Sequence, residues 1–371
     1  MGMPAYQISP AMRKQVTLLS SNYELYGDMS RRVFSTLRDH TADLKIYSID
    51  EAFIHLTGFG NVVEYCKRLR YIVKRDTGIP VSIGLATTRT LAKIANHVAK
   101  KNPEYKGVCY LHPAEPNLKK LLKKLPVSEV WGVGRKVAAK LLALGIVTAW
   151  DLREADLKYL RERFSVVLAR TVLELQGTPC IELDDLTTPK KNIMASRSFG
   201  KAVTLYADLQ EAIRVHASSG ATKLRKQKSV ARAIMVFINT NRFREDLAQY
   251  NPSLVLQLPY PTSDIRVIVA TAQRALQRIY RKGFLFYKAE VMMLDLTNKD
   301  NEQLDFFNVP HTSEEKQRTE RLMTVIDKIN TKMGKDTVQL GGVRALAAWQ
   351  LKRDLLSKRY TTRWDELPIV M

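Results

Sequence analysis

The sequence predicts a multidomain protein in which an α/β region, a helical region and an α+β region follow one another, with a tail at the C-terminal end. At 371 residues with 45% hydrophobic content, the chain is long enough to bury several cores. The spacing of apolar residues changes along the chain between strand and helix periods. A polar, basic, proline-containing stretch at 186–193 is typical of a linker.

The first region alternates strand-like and helix-like segments. Residues 1–22 are irregular and proline-containing, and a helical pattern over 24–38 follows. The segment LKIYSIDEAFIHL, residues 44–56, suits two short strands that meet at Asp50. The chain then continues as helix, strand, helix and a short strand that ends at Leu111. This alternation predicts an α/β sandwich with one helix-covered sheet face.

The remaining regions differ from the first and from each other. The second is rich in helical patterns around LPVSEVWGVGRKVAAKLLALGIVTAWDL. The third places long helical patterns between strand-like segments such as SVARAIMVFINT and YKAEVMMLDLT, which predicts a duplicated βα arrangement. The last residues are mixed in charge and predict a tail with partial helix. The predicted segments are therefore 1–22, 23–112, 113–185, the linker 186–193, 194–298 and 299–371.

The composition favours a nucleic-acid partner. The chain has 59 Lys and Arg against 37 Asp and Glu, so its positive field attracts a polyanion. It has no apolar stretch of about 18 residues and no basic, apolar leader, which predicts a cytoplasmic protein without a membrane partner. The three cysteines and six histidines are scattered without zinc spacing. Any metal site is therefore expected to use carboxylates.

Two adjacent carboxylates, Asp50 and Glu51, are flanked by strand-like apolar sequence. Neighbours on a regular strand face opposite ways, so both carboxylates reach one edge only where the pleat is interrupted. Magnesium takes oxygen ligands and keeps bound waters, so one or two carboxylates plus substrate phosphates are enough to hold it. Without further context, however, a solvated turn explains the pair better.

The second motif is WGVGRK, residues 131–136, which lies between two helical patterns and resembles a helix-hairpin-helix. Gly132 and Gly134 allow a tight turn that leaves amide groups at a helix N-terminus free to bind a phosphate. Arg135 and Lys136 add positive charge. Such contacts read no base sequence. The alternative is an ordinary glycine-containing connection between helices.

Several motifs together resemble the Y-family translesion DNA polymerases, and their order is most similar to the UmuC type. They are SSNYELYGDMS, YSIDEAF, SIGLATTRTLAKIANHVAKK, WGVGRKVAAKLLALGI, ASRSFG and KRYTTRW, which cover nearly the whole chain. The resemblance implies a ferredoxin-like polymerase palm at 23–112 and a helical thumb with the helix-hairpin-helix at 113–185. It also implies a βα-duplicated little finger at 194–298.

The resemblance further implies error-prone translesion DNA synthesis in SOS mutagenesis and DNA repair. The substrates are deoxynucleoside triphosphates and primer-template DNA, and the cofactor is Mg²⁺ in a two-metal site. Asp50 matches a magnesium-binding aspartate, and Glu51 matches the neighbouring catalytic carboxylate, a second metal ligand. Lys100 matches a lysine that contacts the incoming triphosphate as a point charge. The alternative for Lys100 is an ordinary solvated lysine.

The third region carries much of the basic charge. Residues 190–290 contain 18 Lys and Arg against 6 Asp and Glu. A positive sheet and loops facing the duplex raise affinity without base preference and make binding depend on salt. Arg197, in ASRSFG, is the candidate for a template-backbone contact. A surface salt bridge is the alternative for this side chain.

A short peptide after the third region resembles a bacterial sliding-clamp-binding motif. It consists of Gln303, Leu304, Asp305, Phe306 and Phe307 in an otherwise polar stretch. Such a segment docks into a preformed apolar pocket and tethers a weak polymerase to DNA at high effective concentration. The resemblance also implies a UmuD-type dimer and a RecA filament as partners, at the bacterial nucleoid.

One part of the family pattern is not found before Asp50. Family members begin with a strand that carries another metal-binding aspartate, followed by a bulky aromatic residue that excludes ribonucleotides. We therefore expect about the first 50 residues of a full-length relative to be absent. Residues 1–22 are then a remnant of the fingers domain, and the palm lacks its first strand and one metal ligand. Such a chain is expected to have little or no polymerase activity alone.

Two alternatives to the polymerase function follow. The first is a noncatalytic DNA- and sliding-clamp-binding fragment, because the first metal aspartate is missing. The second is another palm-type enzyme such as a nucleotide cyclase. A cyclase explains neither the helix-hairpin-helix nor the clamp-like peptide, so it is the weaker of the two.

Overall fold

The computed structural model divides the chain into two compact units. The first contains Met1–Thr188 together with Leu355–Met371, and the second contains Pro189–Asp354. The structure describes residues 3–112, 116–181, 189–299, 313–334, 336–342, 347, 349–350 and 352–369.

The palm part of the first unit contains four short strands and four helices. Its strands are β1 (Leu44–Ile46), β2 (Ala52–Ile54), β3 (Ile83–Ala86) and β4 (Val108–Leu111), and its helices are α1 (Pro10–Arg13), α2 (Tyr23–His40), α3 (Val62–Thr77) and α4 (Arg89–Lys101). Strands β1 and β2 form an antiparallel hairpin, whereas β3 and β4 pair in parallel around the α4 crossover.

The predicted α/β sandwich of the first region is therefore divided between two two-stranded sheets, which are not hydrogen-bonded to each other within the described residues. Side-chain packing joins them instead. One cluster centres on Phe34, Leu69 and Val73, and a second buries Cys66 and Val108. Burial raises the pKa of the Cys66 thiol to about 11, which keeps it protonated at neutral pH.

Gly84 allows β3 and α4 to approach closely. A Cβ at this position would lie 2.1 Å from the backbone nitrogen of Asn96 and 2.2 Å from the carbonyl oxygen of Ala92. Neither backbone atom can move without moving the helix. The glycine of the SIGLATT motif is therefore required for the packing that positions α4.

The thumb part of the first unit is helical, as the sequence predicts. Its helices are α5 (Pro116–Lys124), α6 (Arg135–Ala143), α7 (Ala149–Glu154), α8 (Leu157–Arg163) and α9 (Val166–Gln176). Their buried faces share one core with α4, in which Leu91, Leu141 and Leu175 are fully buried. The palm and thumb elements are thus continuous through α4.

The second unit contains one four-stranded antiparallel sheet in the order β5-β8-β6-β7. Its elements are β5 (Ile193–Val203), α10 (Tyr206–Lys226), β6 (Ser229–Thr240), β7 (Ser253–Thr262), α11 (Ile265–Ile279), β8 (Phe286–Asn298) and α12 (Ser313–Lys332). Helices α10 and α11 pack on the sheet and form a single large core with it. This is the predicted duplicated βα arrangement.

The C-terminal segment, predicted as a tail, contributes to both units. In the second unit, Asp327 of α12 binds Arg225 of α10 through two hydrogen bonds of 2.6 and 2.7 Å, and Trp349 donates to buried Glu211 at 3.1 Å. In the first unit, the buried side chain of Asn22 donates to Ser357 at 3.0 and 3.1 Å. None of the described helices is long and apolar enough to cross a membrane.

Candidate functional site

Asp50 and Glu51 lie in the loop that joins β1 to β2. The loop is closed by the backbone amides of Tyr47 and Ser48, which donate to the carbonyl oxygen of Glu51 at 2.9 and 3.0 Å. The pairing of Ile46 with Ala52 is the last of the ladder. The two carboxylates therefore lie just beyond the end of the strand pairing, where the pleat is interrupted. Only such an interruption lets both of them reach the same edge of the hairpin.

Hydroxyl groups hold the loop in one conformation. The Ser48 hydroxyl donates to Asp50 Oδ1 at 2.6 Å and accepts from the Asp50 amide at 3.3 Å. The hydroxyl of Ser30, on α2, donates to the carbonyl oxygen of Ile49 at 2.5 Å. Asp50 itself is exposed, so its carboxylate is open to a ligand.

Lys93 of α4 is the nearest cation to this pair of carboxylates among the recorded ion pairs. Its ammonium group lies 2.5 Å from Glu51 Oε1, and both side chains are partly buried. The same ammonium lies 5.6 Å from the centre of the Tyr47 ring, a cation–π distance. Lys93 therefore orients Glu51 and places a fixed positive charge beside it.

Helix α4 is held in place at its N-terminus by a buried carboxylate of the thumb. Glu174 accepts from the amide of Thr90 at 2.8 Å and from the amide of Cys180 at 2.9 Å. Its own carbonyl oxygen accepts from the hydroxyl of Thr88, the N-cap residue, at 2.8 Å. A negative charge at a helix N-terminus is favourable, so Glu174 stabilises the position from which Lys93 reaches Glu51.

An aromatic cluster joins the β1–β2 loop to the thumb. The ring of Trp131 lies 5.6 Å from that of Tyr47 and 5.8 Å from that of Phe53, and its indole N–H donates to the Tyr47 hydroxyl at 3.2 Å. The guanidinium of Arg89 lies 5.7 Å from the Phe53 ring centre. The first residue of the predicted helix-hairpin-helix turn is thus in contact with the carboxylate-bearing hairpin.

The turn itself has the geometry that its glycines predict. Gly132 has φ of 88°, in the left-handed region, and Gly134 is the N-cap of α6. No side chain caps the first amides of this helix. Arg135 and Lys136 are exposed beside them. The turn presents backbone donors and positive charge together, which suits a phosphate.

Lys100 lies on α4, two turns after Lys93 and therefore roughly 10 Å further along the helix. It is exposed. His97 lies between Lys93 and Lys100 on the same helix. Burial, and then the charges of Lys101 and Lys100, lower the pKa of His97, so this imidazole is neutral at neutral pH. Sequence reasoning missed Lys93, although its seven-residue spacing from Lys100 places both on similar sides of the helix.

The carboxylate pair suits magnesium by its chemistry. Among the described residues, no group of three or more His, Cys, Asp or Glu could hold a metal ion. Asp50 and Glu51 supply two hard oxygen donors, and Mg²⁺ completes its octahedral shell with waters and substrate phosphates. The residues present therefore fit a magnesium ion bound jointly with a phosphate substrate.

Arg197 lies on β5, an edge strand of the second unit. It pairs with Ala289 of β8, a fully buried residue, so it is on the same side of the sheet as the helix-covered core. Its side chain is exposed. The uncovered side of the sheet carries Met194, Phe237 and Met292, together with Lys288, which forms an ion pair with Glu290. The predicted clamp-binding residues 303–307 lie outside the described residues.

Family models match most of the chain. Residues 1–97 match the impB/mucB/samB family, 115–146 match the IMS family HHH motif, and 190–306 match the impB/mucB/samB family C-terminal domain. Residues 320–370 match a domain of unknown function (DUF4113). The turn at Gly132 lies within the second of these matches.

Individual relatives agree with the family models. The UmuC protein of Salmonella typhimurium strain LT2 is 41% identical over 373 residues, which cover 99% of this chain and 87% of that protein. The ImpB protein of Salmonella typhimurium is 38% identical over 374 residues, with 100% and 87% covered. A chimeric Y-family DNA polymerase matches in structure with a TM-score of 0.55 at 20% identity, over 74% of this chain and 77% of that one. The chain therefore belongs to the impB/mucB/samB family of UmuC-type proteins and has the fold of a Y-family DNA polymerase.

Proposed function

We propose that this chain is a DNA-directed DNA polymerase that carries out error-prone synthesis past damaged template positions. The observation that carries the proposal is the placement of Asp50 and Glu51 in the β1–β2 loop, beside Lys93 of α4, in a chain with this fold. An exposed and a partly buried carboxylate next to a fixed cation suit a site for a magnesium-bound triphosphate.

Asp50 and Glu51 would hold Mg²⁺, which when bound neutralises triphosphate charge and favours attack by the primer hydroxyl. Ser48 holds the Asp50 carboxylate by a hydrogen bond, and Lys93 of α4 holds the Glu51 carboxylate by an ion pair. Lys100, further along α4, supplies a positive charge for the phosphates of the incoming nucleotide. These residues position charged groups before the substrate arrives, so little reorganisation accompanies the reaction.

The DNA contacts are assigned to regions outside the carboxylate loop. The uncapped first turn of α6, with Arg135 and Lys136, would bind a backbone phosphate, as would Arg197 in the second unit. Residues 303–307 would dock on a sliding clamp, and a UmuD-type dimer and a RecA filament are further proposed partners. With these partners the protein would act on DNA at the bacterial nucleoid.

Primer extension with Mg²⁺ and the four deoxynucleotides tests the catalytic proposal. Asp50→Ala is expected to lower the extension rate by about a hundredfold or more, because it removes a charge that acts on the reacting phosphate. Asp43→Ala is the matched control, since Asp43 precedes β1 and its only recorded ion pair is with His55 at 4.0 Å. The control should extend primers at the parent rate. Equal rates for the Asp50→Ala variant and the parent chain would contradict the proposal.

A noncatalytic DNA- and clamp-binding function is the second candidate. It is favoured by the turn at Gly134 and by the basic second unit, because neither requires the carboxylates. Fluorescence anisotropy of a labelled primer-template, measured on the same samples, separates the two candidates. A parent chain that binds this DNA but extends no primer would support the second candidate, whereas extension that depends on Asp50 supports the first.

A further inference from the structure

The second unit contains a large open groove, here named the α10–α12 groove, with a volume of about 1700 Å³. Small-molecule sites are typically about 300–1000 Å³, so the groove is large enough for a segment of a macromolecule. Its walls are α10, the bulged parts of β6 and β7, the start of α11, and α12. On α10 it is lined by residues such as Arg214 and Ser219, whereas Ile213 and Ala217 of the same helix face the core.

The wall of the groove is strongly basic. Eleven of its described lining residues are Lys or Arg, and four are Asp or Glu. Three of those acids have basic partners within the wall, in the pairs Arg225–Asp327, Arg266–Asp264 and Lys299–Glu320. Basic lining residues for which no ion pair is recorded in the described part of the chain include Lys226, Lys228, Arg232, Lys328 and Lys332. The groove therefore presents uncompensated positive charge.

Apolar side chains share the groove with these cations. Leu322 is 42% exposed, and Val338 and Leu340 are each 38% exposed, although all three are aliphatic and line the cavity. Met323 and Ile326, from the same helix as Leu322, extend this apolar surface toward the core. The groove thus combines an apolar wall with a basic one.

This combination favours a protein ligand over a single-stranded nucleic acid. Single-stranded nucleic acids bind where successive bases stack on aromatic side chains. Tyr260 is the one aromatic residue among the described lining residues. An amphipathic helix, by contrast, lays an apolar face into a groove and gains orientation from charges along its edges.

The groove is also separate from the uncovered side of the sheet in the same unit. Met194, Phe237 and Met292 lie on that side, and none of them is among the described lining residues. The groove lies instead against the outer side of α10, a helix that covers the opposite side of the sheet. A ligand on one surface leaves the other accessible.

We propose that the α10–α12 groove binds an acidic amphipathic helix of a partner protein. The apolar side chains of that helix contact Leu322 and its aliphatic neighbours, and its carboxylates face Arg232, Lys328 and Lys332. The proposal goes beyond the polymerase function and does not depend on it, since no residue of the carboxylate loop takes part.

A binding titration on the full chain tests the proposal. The probe is a fluorescent helical peptide of about 16 residues in which Leu recurs at positions i, i+3, i+4 and i+7 and Glu fills the others. Lys328→Glu combined with Lys332→Glu is expected to weaken binding by about tenfold or more. The matched control, Arg318→Glu with Arg321→Glu, makes the same charge change on α12 at exposed residues outside the groove, and should bind within about twofold of the parent chain.

A second matched pair tests the apolar wall without changing the basic one. Leu322→Asp should weaken peptide binding by about tenfold, whereas Val325→Asp, at a 51% exposed residue of α12 outside the groove, should not. Circular dichroism of each variant checks that the chain is folded.

Equal weakening by Arg318→Glu with Arg321→Glu would assign binding to net charge and overturn the proposal. Tighter binding of a dT oligonucleotide of similar length, lost in Lys328→Glu with Lys332→Glu, would overturn it in favour of a nucleic-acid groove.

Discussion

The palm and the second unit bury their apolar side chains in different ways. In the second unit, strands of 10 to 13 residues form one sheet, and a single core runs beneath it. In the palm, strands of 3 or 4 residues form two separate pairs over two small clusters, and α4 and β4 also reach the larger core shared with the thumb. The second unit thus has many redundant apolar contacts, whereas the β1–β2 pair, which carries the carboxylate loop, has few.

Polar contacts over long sequence separations compensate in the palm. Glu174 of the thumb and Asn22 are each 1% exposed, and each binds a backbone group distant in the sequence, the Thr90 amide and the Ser357 carbonyl oxygen respectively. Buried hydrogen bonds of this kind specify one geometry, because breaking them leaves unsatisfied polar groups. We therefore expect the position of the carboxylate loop to depend on single contacts and the second unit to tolerate the loss of one contact.

The largest expected effect comes from adding one methyl group to each unit. In Gly84→Ala, the new Cβ lies 2.1 Å from a backbone atom of α4, so strand and helix must separate. In Gly220→Ala, the new Cβ lies 2.2 Å from the terminal methyl of Met293, a flexible side chain that can move. We expect Gly84→Ala to destabilise the palm by about 3 kcal/mol and Gly220→Ala to cost about 1 kcal/mol or less, since Ala also favours the helix.

Amide hydrogen exchange measures each effect within its own unit, which avoids treating the whole chain as two-state. Exchange in α4 should accelerate by about a hundredfold in Gly84→Ala while α10 keeps its parent rates. In Gly220→Ala, exchange in α10 should change by less than about tenfold. An equal loss of exchange protection in the two variants would mean that the palm tolerates an added methyl group as well as the second unit does.

The same difference explains how much of the fold was predictable from sequence. Long strands with a clear period, such as SVARAIMVFINT, correspond directly to β6, because each strand carries enough residues to show its pattern. The division of the palm into two sheets was not predictable, since three-residue strands show no period. The chain after Asp156 forms two helices, because α8 ends at Arg163 and Ser165 caps the start of α9.

The candidate site was predictable to a similar extent. Asp50 and Glu51 stood out because they interrupt an apolar run, and the family resemblance implied their metal-binding role; the structure places them in the loop between two strands. Lys93 was missed because its role depends on which turn of α4 faces the hairpin, a tertiary fact without a local signal. The sequence located the basic charge in the second unit but not the groove, since periodicity does not show which helix faces line a groove.

The next largest effect is expected at Lys93 and Lys100 of α4. This prediction assumes the proposed polymerase function. Lys93→Met removes the partner of Glu51 and should raise the Mg²⁺ concentration needed for half-maximal extension by about tenfold, because partners of metal-binding carboxylates typically contribute this much. Lys100→Met should instead raise the KM for deoxynucleotides. Lys93→Arg keeps the charge and should recover most of the parent Mg²⁺ dependence.

A Mn²⁺ titration without nucleotide, monitored by electron paramagnetic resonance, separates a positioning role of Lys93 from a merely structural one. Lys93→Met should change the Mn²⁺ affinity while Lys100→Met leaves it unchanged. If both variants changed only the KM for deoxynucleotides, Lys93 would be a substrate contact and the contact seen with Glu51 would have no positioning role.

The smallest expected effect lies in the thumb, at the capping box of α7. Asp151 accepts from the amides of Thr148 at 2.8 Å and Val147 at 3.1 Å, and Thr148 caps the same helix. The Thr148 amide is the main cause that lowers the pKa of Asp151. Asp151→Ala should therefore destabilise α7 by about 1 kcal/mol at neutral pH, measured by amide exchange in that helix. Glu154→Ala, at an exposed position of α7, is the control and should change exchange by less than about twofold.

The pH dependence of this difference identifies its source. Because the folded pKa of Asp151 is below its unfolded value of about 3.9, the stabilisation is present above that value and is lost as pH falls through the folded pKa. The difference between Asp151→Ala and the parent chain should therefore be constant at neutral pH and narrow below about pH 4. A difference that persists unchanged into acid would mean that the side chain acts through packing, because a protonated carboxyl accepts these amides only weakly and adds no charge at the helix N-terminus.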